Sequence, residues 1–338
     1  GIRDISVWLE FRRVLFRSDV YSDTKMYGYR NKVEFSFRWD NDTKTLDLAF
    51  FRRGTHGKIP VEGTSLAIPA INTLAIQIRD LLRTKPIEAR SLKTLMIRST
   101  QQGQCVFQLY IKEKDTLALT QTDFDSLDAA GGEVIYSDPK SPASVITKRL
   151  TSFGDITLTD TVLGTPFRYV CEGFFQGNIP VYEQALTDMK EWVQESGNTK
   201  VLDMYSGVGT IGFTIGGDNL TLVEINKSAV DEMKRNRYDL GKKATVIEAS
   251  AEGSLEYIDN ESIVILDPPR AGLHEAVVDR LLEVKPTRII YLSCNPVTQA
   301  RDIKYLAESY GVRYHRGYNF FPRTPHIEHL VVLDLKTT

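Results

Sequence analysis

Residues 201–213 read VLDMYSGVGTIGF. An apolar run of strand length enters a turn in which Gly207, Gly209 and Gly212 spell G-x-G-x-x-G, and apolar residues then resume. Strand, glycine turn and helix in that order open a βαβ unit. Outward from it the same rhythm repeats. Upstream, VYEQALTDMKEWVQES carries Tyr182, Ala185, Leu186, Met189 and Val193 on one helical stripe. Downstream, LTLVEI, ATVIE, SIVILD, RIIYLS and HLVVLDL are short apolar strands separated by helical stretches. The pattern predicts a doubly wound α/β domain over residues 171–338.

The N-terminal part reads differently. NKVEFSFRW and TLDLAFFRRG alternate with period two around the turn-rich DNDTK, which is a hairpin signal. Leu74, Ile78, Leu81 and Leu82 recur at helical spacing over residues 71–82, and TLMIRST and CVFQLYIK read as further strands. This predicts a smaller α+β domain over residues 19–145, with a linker at residues 131–144, rich in Gly, Ser and Pro, and a connecting segment over residues 146–170. Residues 1–18 show neither strand alternation nor a capped helix and are read as a non-native leader.

Composition bounds the function classes. The chain has 338 residues, 42% hydrophobic and 25% charged, with a formal charge of −2. Its length suits two ordinary domains. No run of about 18 uncharged apolar residues and no secretion signal is seen, so a cytoplasmic protein away from the membrane is expected. Cys105, Cys171 and Cys294 are too few and too far apart for a four-cysteine metal or iron–sulfur site, and no metal site is expected. Residues 21–100 hold 14 Lys and Arg against 8 Asp and Glu, while the remainder is acidic. The basic part is the candidate for phosphate contacts, with Arg30, Lys32, Arg52 and Arg53 foremost.

The glycine turn alone leaves the ligand open. A nicotinamide nucleotide would place its pyrophosphate on the turn and its ribose on an acid about 20 residues later, a role Glu224 can fill. Asp203, four positions before Gly207, makes the pattern D-x-x-x-G-x-G, which favours S-adenosylmethionine over a nicotinamide nucleotide; a purely structural turn is the third reading. Ligands of open α/β sheets sit at the carboxyl ends of the strands. There DPPRAG puts Asp267 at one strand end and SCNP puts Cys294 at the next. Asn295 and Pro296 read as an N-cap and first-turn pair, so Cys294 is expected beside a helix N-terminus that favours its thiolate. A lone cysteine after an apolar strand is otherwise an inert core residue, and Glu328 a surface carboxylate.

Taken together, YRNKVEFSF, GFFQGN, DMYSGVGT, DPPRAG, SCNPVTQARD and PHIEHL resemble the RNA uracil-C5 methyltransferase family over about residues 27–335. The resemblance implies a class I, Rossmann-like methyltransferase domain preceded by a smaller RNA-contacting domain. It implies S-adenosylmethionine as cofactor, held by Gln176, Tyr205, Gly207, Gly209, Thr210, Glu224, Ser250 and Asp267. Ser250 departs from the family's Asp or Asn, Ser206 from a frequent cysteine, and Gly177 from a bulkier residue.

The resemblance further implies Cys294 as nucleophile and Glu328 as base, with Arg270 facing RNA. A thiolate adding to carbon 6 of uracil makes carbon 5 nucleophilic, and a base then removes the carbon 5 proton. Arg270 stands where cytosine-C5 enzymes carry cysteine and where amino-methylating enzymes carry an aromatic residue, which argues against both. The expected partner is tRNA or rRNA, with no obligate protein partner. With no cysteine before Cys105 the iron–sulfur cluster of some relatives is not expected, and their N-terminal β-barrel is either absent by nature, which leans the expectation toward tRNA, or lost by truncation at the leader, which removes that lean. The remaining alternative is an RNA-binding or RNA-folding protein of the same fold without turnover.

Overall fold

The structure, a computed structural model, describes residues 19–114, 117–197 and 200–337; the leader expected over residues 1–18 lies outside them. The described residues form two compact units, one of residues 25–160 and 168–173, the other of residues 19–24, 161–167 and those from 174 onward. Strand β1 (Val20–Tyr21) belongs to the sheet of the second unit.

In the first unit, β2 (Lys32–Asp40), β3 (Thr45–Phe51), β4 (Lys58–Pro60), β5 (Leu92–Ser99), β6 (Cys105–Ile111), β7 (Gly131–Tyr136) and β8 (Lys148–Gly154) form one sheet in the order β4-β3-β2-β5-β6-β7-β8. Only β6 and β7 run parallel. Helix α1 (Pro69–Arg83) lays Ile71, Leu74, Ile78 and Leu82 on Phe35, Phe37, Leu48, Leu95 and Phe107. Each such buried side chain contributes roughly 1.5–3 kcal/mol. The short α2 (Gln121–Asp125) is held by a capping box between Thr120 and Asp123.

The opposite face of this sheet is polar. Gln108 donates to Glu133 at 2.8 Å and to Glu172 at 2.7 Å, and Arg149 pairs with both carboxylates.

The expected linker is strand over residues 131–136 and irregular over residues 137–144, and the connecting segment is largely sheet structure. Residues 131–136 are a strand, because Gly131 and Gly132 serve close approach: a Cβ would fall 2.1 Å from the Asp155 carbonyl oxygen and 2.2 Å from the Phe107 ring. Residues 146–170 are likewise more than a connection, since β8 pairs with β7, and β9 (Thr157–Val162) with β10 (Thr165–Val170).

In the second unit, α3 (Ile179–Glu195) precedes β11 (Lys200–Met204), α4 (Thr210–Ile215), β12 (Leu220–Glu224), α5 (Lys227–Asp239), β13 (Ala244–Glu248), β14 (Ser262–Leu266), α6 (Glu275–Val284), β15 (Arg288–Ser293), α7 (Pro296–Leu306), β16 (Tyr310–Tyr318) and β17 (Glu328–Leu335). The sheet order is β1-β16-β17-β15-β14-β11-β12-β13. Strands β11 to β15 are parallel, and β17 runs antiparallel to both neighbours. The central strands are apolar on both faces, as a sheet covered by helices requires. The order reverses where β11 lies between β12 and β14. That crevice, at the carboxyl ends of the strands, is where ligands of such sheets bind.

Among the described residues no helix is long and apolar enough to cross a membrane.

Candidate active site

The glycine turn is built by backbone conformation. Tyr205, Gly207 and Gly209 all have positive φ, at 65°, 56° and 88°. A left-handed tyrosine is strained, which marks a site whose geometry the surroundings enforce. Gly209 has no room for a Cβ, which would fall 2.4 Å from the Phe213 ring. Gly212 packs against the sheet instead: a Cβ there would lie 2.4 Å from Leu222 and 2.9 Å from Asp203 Oδ2. Asp203 Oδ2 accepts from the Gly212 amide at 2.9 Å, and burial pushes its carboxyl up to about 8. Glu224, ending β12, accepts from the Gly207 amide at 2.9 Å and from the Asn226 amide at 2.7 Å. Ser206 stitches the two strand ends, donating to the Asp203 carbonyl at 2.6 Å and accepting from the Val223 amide at 3.0 Å.

Cys294, Glu328 and Asp267 stand on the other side of the crevice. Asp267 directly follows β14, Cys294 directly follows β15, and Glu328 opens β17. Strands β15 and β17 pair Ser293 with His329, so the register carried one residue further sets Cys294 opposite Glu328. Burial and the neighbouring Asp267 carboxylate push the Glu328 carboxyl well above its usual range. Burial alone pushes Asp267 up to about 7. Burial also raises the Cys294 thiol, helped by the Glu328 and Asp267 carboxylates and opposed by the Arg270 guanidinium. Asn295 caps α7, accepting from the Val297 amide at 3.2 Å, so the expected helix end does follow Cys294, in a setting where burial and two carboxylates favour the neutral thiol.

A supporting layer holds these groups. Asn295 Nδ2 donates to the Arg270 carbonyl at 2.9 Å and Thr298 Oγ1 donates to the same oxygen at 3.2 Å, stapling the DPPR turn to the start of α7. Asp302 accepts from the Leu273 amide at 2.9 Å and from the Tyr291 hydroxyl at 2.8 Å. Gln299, fully buried, donates to the carbonyls of Tyr291 at 2.9 Å and His329 at 3.0 Å, while its own carbonyl lies 2.7 Å from His329 Nδ1. One side chain thus ties β15 to β17. Neither Gln299 nor His329 stands out in the sequence, because a buried polar network carries no periodic signature.

The other residues singled out from the sequence lie as follows. Gln176 and Thr210 are buried in the same unit. The Ser250 hydroxyl accepts from the Gly253 amide at 3.1 Å, capping a short 3-10 turn. Arg270 is exposed, its Nη2 3.2 Å from His326 Nδ1, and its charge acts on both Cys294 and Glu328. In the first unit Arg52 and Arg53 are exposed between β3 and β4. Arg30 and Lys32 are half-buried, with Lys32 Nζ 3.5 Å from the Glu172 carbonyl.

Comparison with known proteins agrees with this geometry. The family model for tRNA (uracil-5-)-methyltransferases matches residues 252–336, which include the DPPR turn, Cys294 and Glu328. A curated RNA methyltransferase of Enterococcus faecalis is 31% identical over 332 residues, spanning 91% of this chain and 71% of the relative. The chain belongs to the RNA uracil-C5 methyltransferase family. A second curated RNA methyltransferase, from Nitratidesulfovibrio vulgaris, is 28% identical over 334 residues, spanning 91% of this chain and 71% of the relative. The fold of the family is seen in the tRNA (uracil-54, C5)-methyltransferase of Pyrococcus abyssi, solved with S-adenosyl-L-homocysteine. It superposes with a TM-score of 0.79 at 24% identity over 97% of this chain and 81% of that one. The doubly wound domain is thus a class I methyltransferase domain, and the protein is an RNA methyltransferase.

Proposed function

We propose that this enzyme methylates carbon 5 of a specific uridine in tRNA or rRNA through a covalent adduct on Cys294, with Glu328 as the base. The observation that carries the reading is that the β15–β17 ladder ends at Ser293 and His329, one residue short of Cys294 and of the buried Glu328, whose carboxylate acts on the Cys294 thiol. A reaction needing one addition and one proton abstraction at adjacent carbons needs such a pair.

The strand ends fit S-adenosylmethionine. Gly207 faces open space where a Cβ would meet nothing, and the Glu224 carboxylate, fixed by two amides, keeps lone pairs for ribose hydroxyls. Gln176, Tyr205, Gly209, Thr210 and Asp267 complete the holding set, and Ser250 borders it with its hydroxyl already engaged in a cap. When bound, the cofactor supplies an electrophilic methyl carbon on a sulfonium.

Cys294 Sγ, once deprotonated, bonds to carbon 6 of uracil, and the electrons of the 5,6 double bond pass to the O4–C4–C5 system. Arg270, the cation beside Cys294, favours the thiolate. After carbon 5 carries the methyl group, Glu328 takes the remaining carbon 5 proton. The double bond re-forms, the S–C6 bond breaks, and Cys294 leaves as thiolate. The raised affinity of Glu328 for protons suits a group that must accept one. In the first unit, exposed Arg52 and Arg53, with Arg30 and Lys32, supply cations for RNA phosphates.

The test is methylation of unmodified total tRNA and rRNA in vitro, followed by mapping of 5-methyluridine. A single mapped uridine in one RNA class is the expected result. Methyl groups found only on cytosine, on exocyclic amines or on ribose would overturn the reading.

A further inference from the structure

His326 is exposed in the turn between β16 and β17, two residues before Glu328. Its ring is nevertheless held from two directions. Thr324 Oγ1 accepts from the His326 amide at 3.3 Å and donates to the Phe321 carbonyl at 2.8 Å, and the imidazole meets the Phe321 ring edge-on at 6.4 Å. Held there, it stands against Arg270, whose Nη2 lies 3.2 Å from His326 Nδ1 and 3.5 Å from Nε2.

Arg270 is itself fixed at its backbone, where its carbonyl accepts from Asn295 and Thr298 at the start of α7, next to Cys294. Its guanidinium pulls the Cys294 thiol down by charge and by a side-chain hydrogen bond, against the Glu328 and Asp267 carboxylates, which push it up. A long flexible side chain separates the pinned carbonyl from that guanidinium, and keeping it in one arrangement costs entropy unless a partner holds the far end. Among the described residues the hydrogen-bonding partners of the guanidinium are Cys294 and His326. A guanidinium donates N–H groups and accepts none, so the imidazole meets it only with an unprotonated nitrogen. An imidazolium in that place would set two cations against each other.

We infer that His326 is a positioning residue for Cys294: its neutral imidazole holds the Arg270 guanidinium against the sulfur. The groups that face Cys294 are Asp267 beyond β14, Glu328 at the start of β17, and Arg270 in the DPPR turn, and His326 decides how closely the cation of the three stays. As a device of turnover the inference rests on the uracil-C5 reading above. As a statement about the reactivity of Cys294 it does not.

The experiment therefore reads the sulfur itself. Alkylation of Cys294 by iodoacetamide is followed across pH in the ligand-free wild type and in His326→Ala, His326→Asn, Arg270→Ala and His326→Ala/Arg270→Ala, with Cys294→Ala as background; Cys105 and Cys171 are buried. His326→Ala should move the rise in alkylation rate to higher pH by as much as Arg270→Ala does. A displacement of about one pH unit makes alkylation at neutral pH about tenfold slower. His326→Asn offers an amide oxygen in the place of Nδ1 and should recover the wild-type rate to within about threefold. The double variant should be no slower than Arg270→Ala, because both changes remove the same effect. Methylation kcat/KM should fall by the same factor as alkylation, with S-adenosylmethionine affinity within about twofold of the wild type.

An alkylation profile in His326→Ala that matches the wild type would overturn the inference. So would losses that multiply in the double variant, since His326 would then act without Arg270, or a loss that His326→Asn leaves unrepaired. A melting temperature lowered in both His326 variants, with the alkylation profile of the folded protein in place, would reduce the ring to packing against Phe321 and overturn it as well. If the profiles shift as stated while the wild type forms no 5-methyluridine, the uracil-C5 reading fails and the positioning of Arg270 stands. An active wild type with unshifted profiles is a failure of His326 alone.

Discussion

The two sides of the crevice are made by different means. On the β11–β12 side the backbone builds the site: two glycines and a strained tyrosine with positive φ shape the turn, and Glu224 is held by main-chain amides. On the β14–β15–β17 side, side chains far apart in sequence do the work, and a second layer of Asn295, Thr298, Gln299 and Asp302 holds them. Binding a constant cofactor tolerates a rigid backbone cradle. The proposed addition, proton abstraction and elimination require side chains whose protonation can change, and Cys294, Asp267 and Glu328 are placed so that each alters its neighbour.

If that contrast is right, substitutions on the second side should damage turnover and spare cofactor binding. Cys294→Ala should have the largest effect, a loss on the order of 10⁴-fold or more in methyl transfer, with the S-adenosylmethionine Kd near that of the wild type by calorimetry. Cofactor affinity collapsing with activity would erase the distinction between the sides.

Arg270→Ala comes next. Because the Cys294 thiol is raised, kcat/KM should climb with pH through and beyond the ordinary thiol range near 8.5 as thiolate forms. Removing the opposing guanidinium should move that limb toward higher pH, and a limb displaced by about one pH unit lowers neutral-pH activity about tenfold. A limb that moves down would show that Arg270 does not support the thiolate.

The smallest effect sharpens the comparison most. Gln299→Leu removes the tie between β15 and β17 while keeping the site's own groups, so kcat should fall roughly tenfold with KM and cofactor Kd little changed. Single-turnover kinetics should show proton abstraction slowed more than addition. A uniform loss in every parameter would make Gln299 merely part of the core.

The same contrast explains what could be read from the sequence. Strands β11 to β15 and β17 are continuous apolar runs ended by turns, so hydrophobicity alone predicts them, and the glycine turn announces itself by spacing. Strand β16 escapes that reading because its sequence, YGVRYHRGY, is aromatic and basic: Tyr314, Arg316 and Tyr318 all converge on the Asp188 carboxylate of α3 rather than burying an apolar face. Gly131 and Gly132 read as linker punctuation in the sequence, whereas neighbouring backbone and ring atoms exclude any side chain there. Cys294, Asp267 and Glu328 carry no local signal stronger than a core thiol or a surface acid. They become legible through family motifs, and their meeting depends on a strand register that sequence spacing does not express. The raised proton affinity of the Cys294 thiol is hidden for the same reason, since two of its causes lie 27 and 34 positions away in the chain.

The division of labour between Cys294 and Glu328 is tested most directly by trapping. Glu328→Gln still permits addition and methylation but lacks the base for the carbon 5 proton, so incubation with S-adenosylmethionine and the substrate RNA should accumulate a protein–RNA adduct, seen as a slow band on a denaturing gel. The band should vanish in the Cys294→Ala/Glu328→Gln double variant, and the wild type should give it with RNA carrying 5-fluorouridine at the target, where fluorine cannot leave as a cation. Normal turnover by Glu328→Gln with no adduct, or an adduct that survives loss of Cys294, would contradict the account.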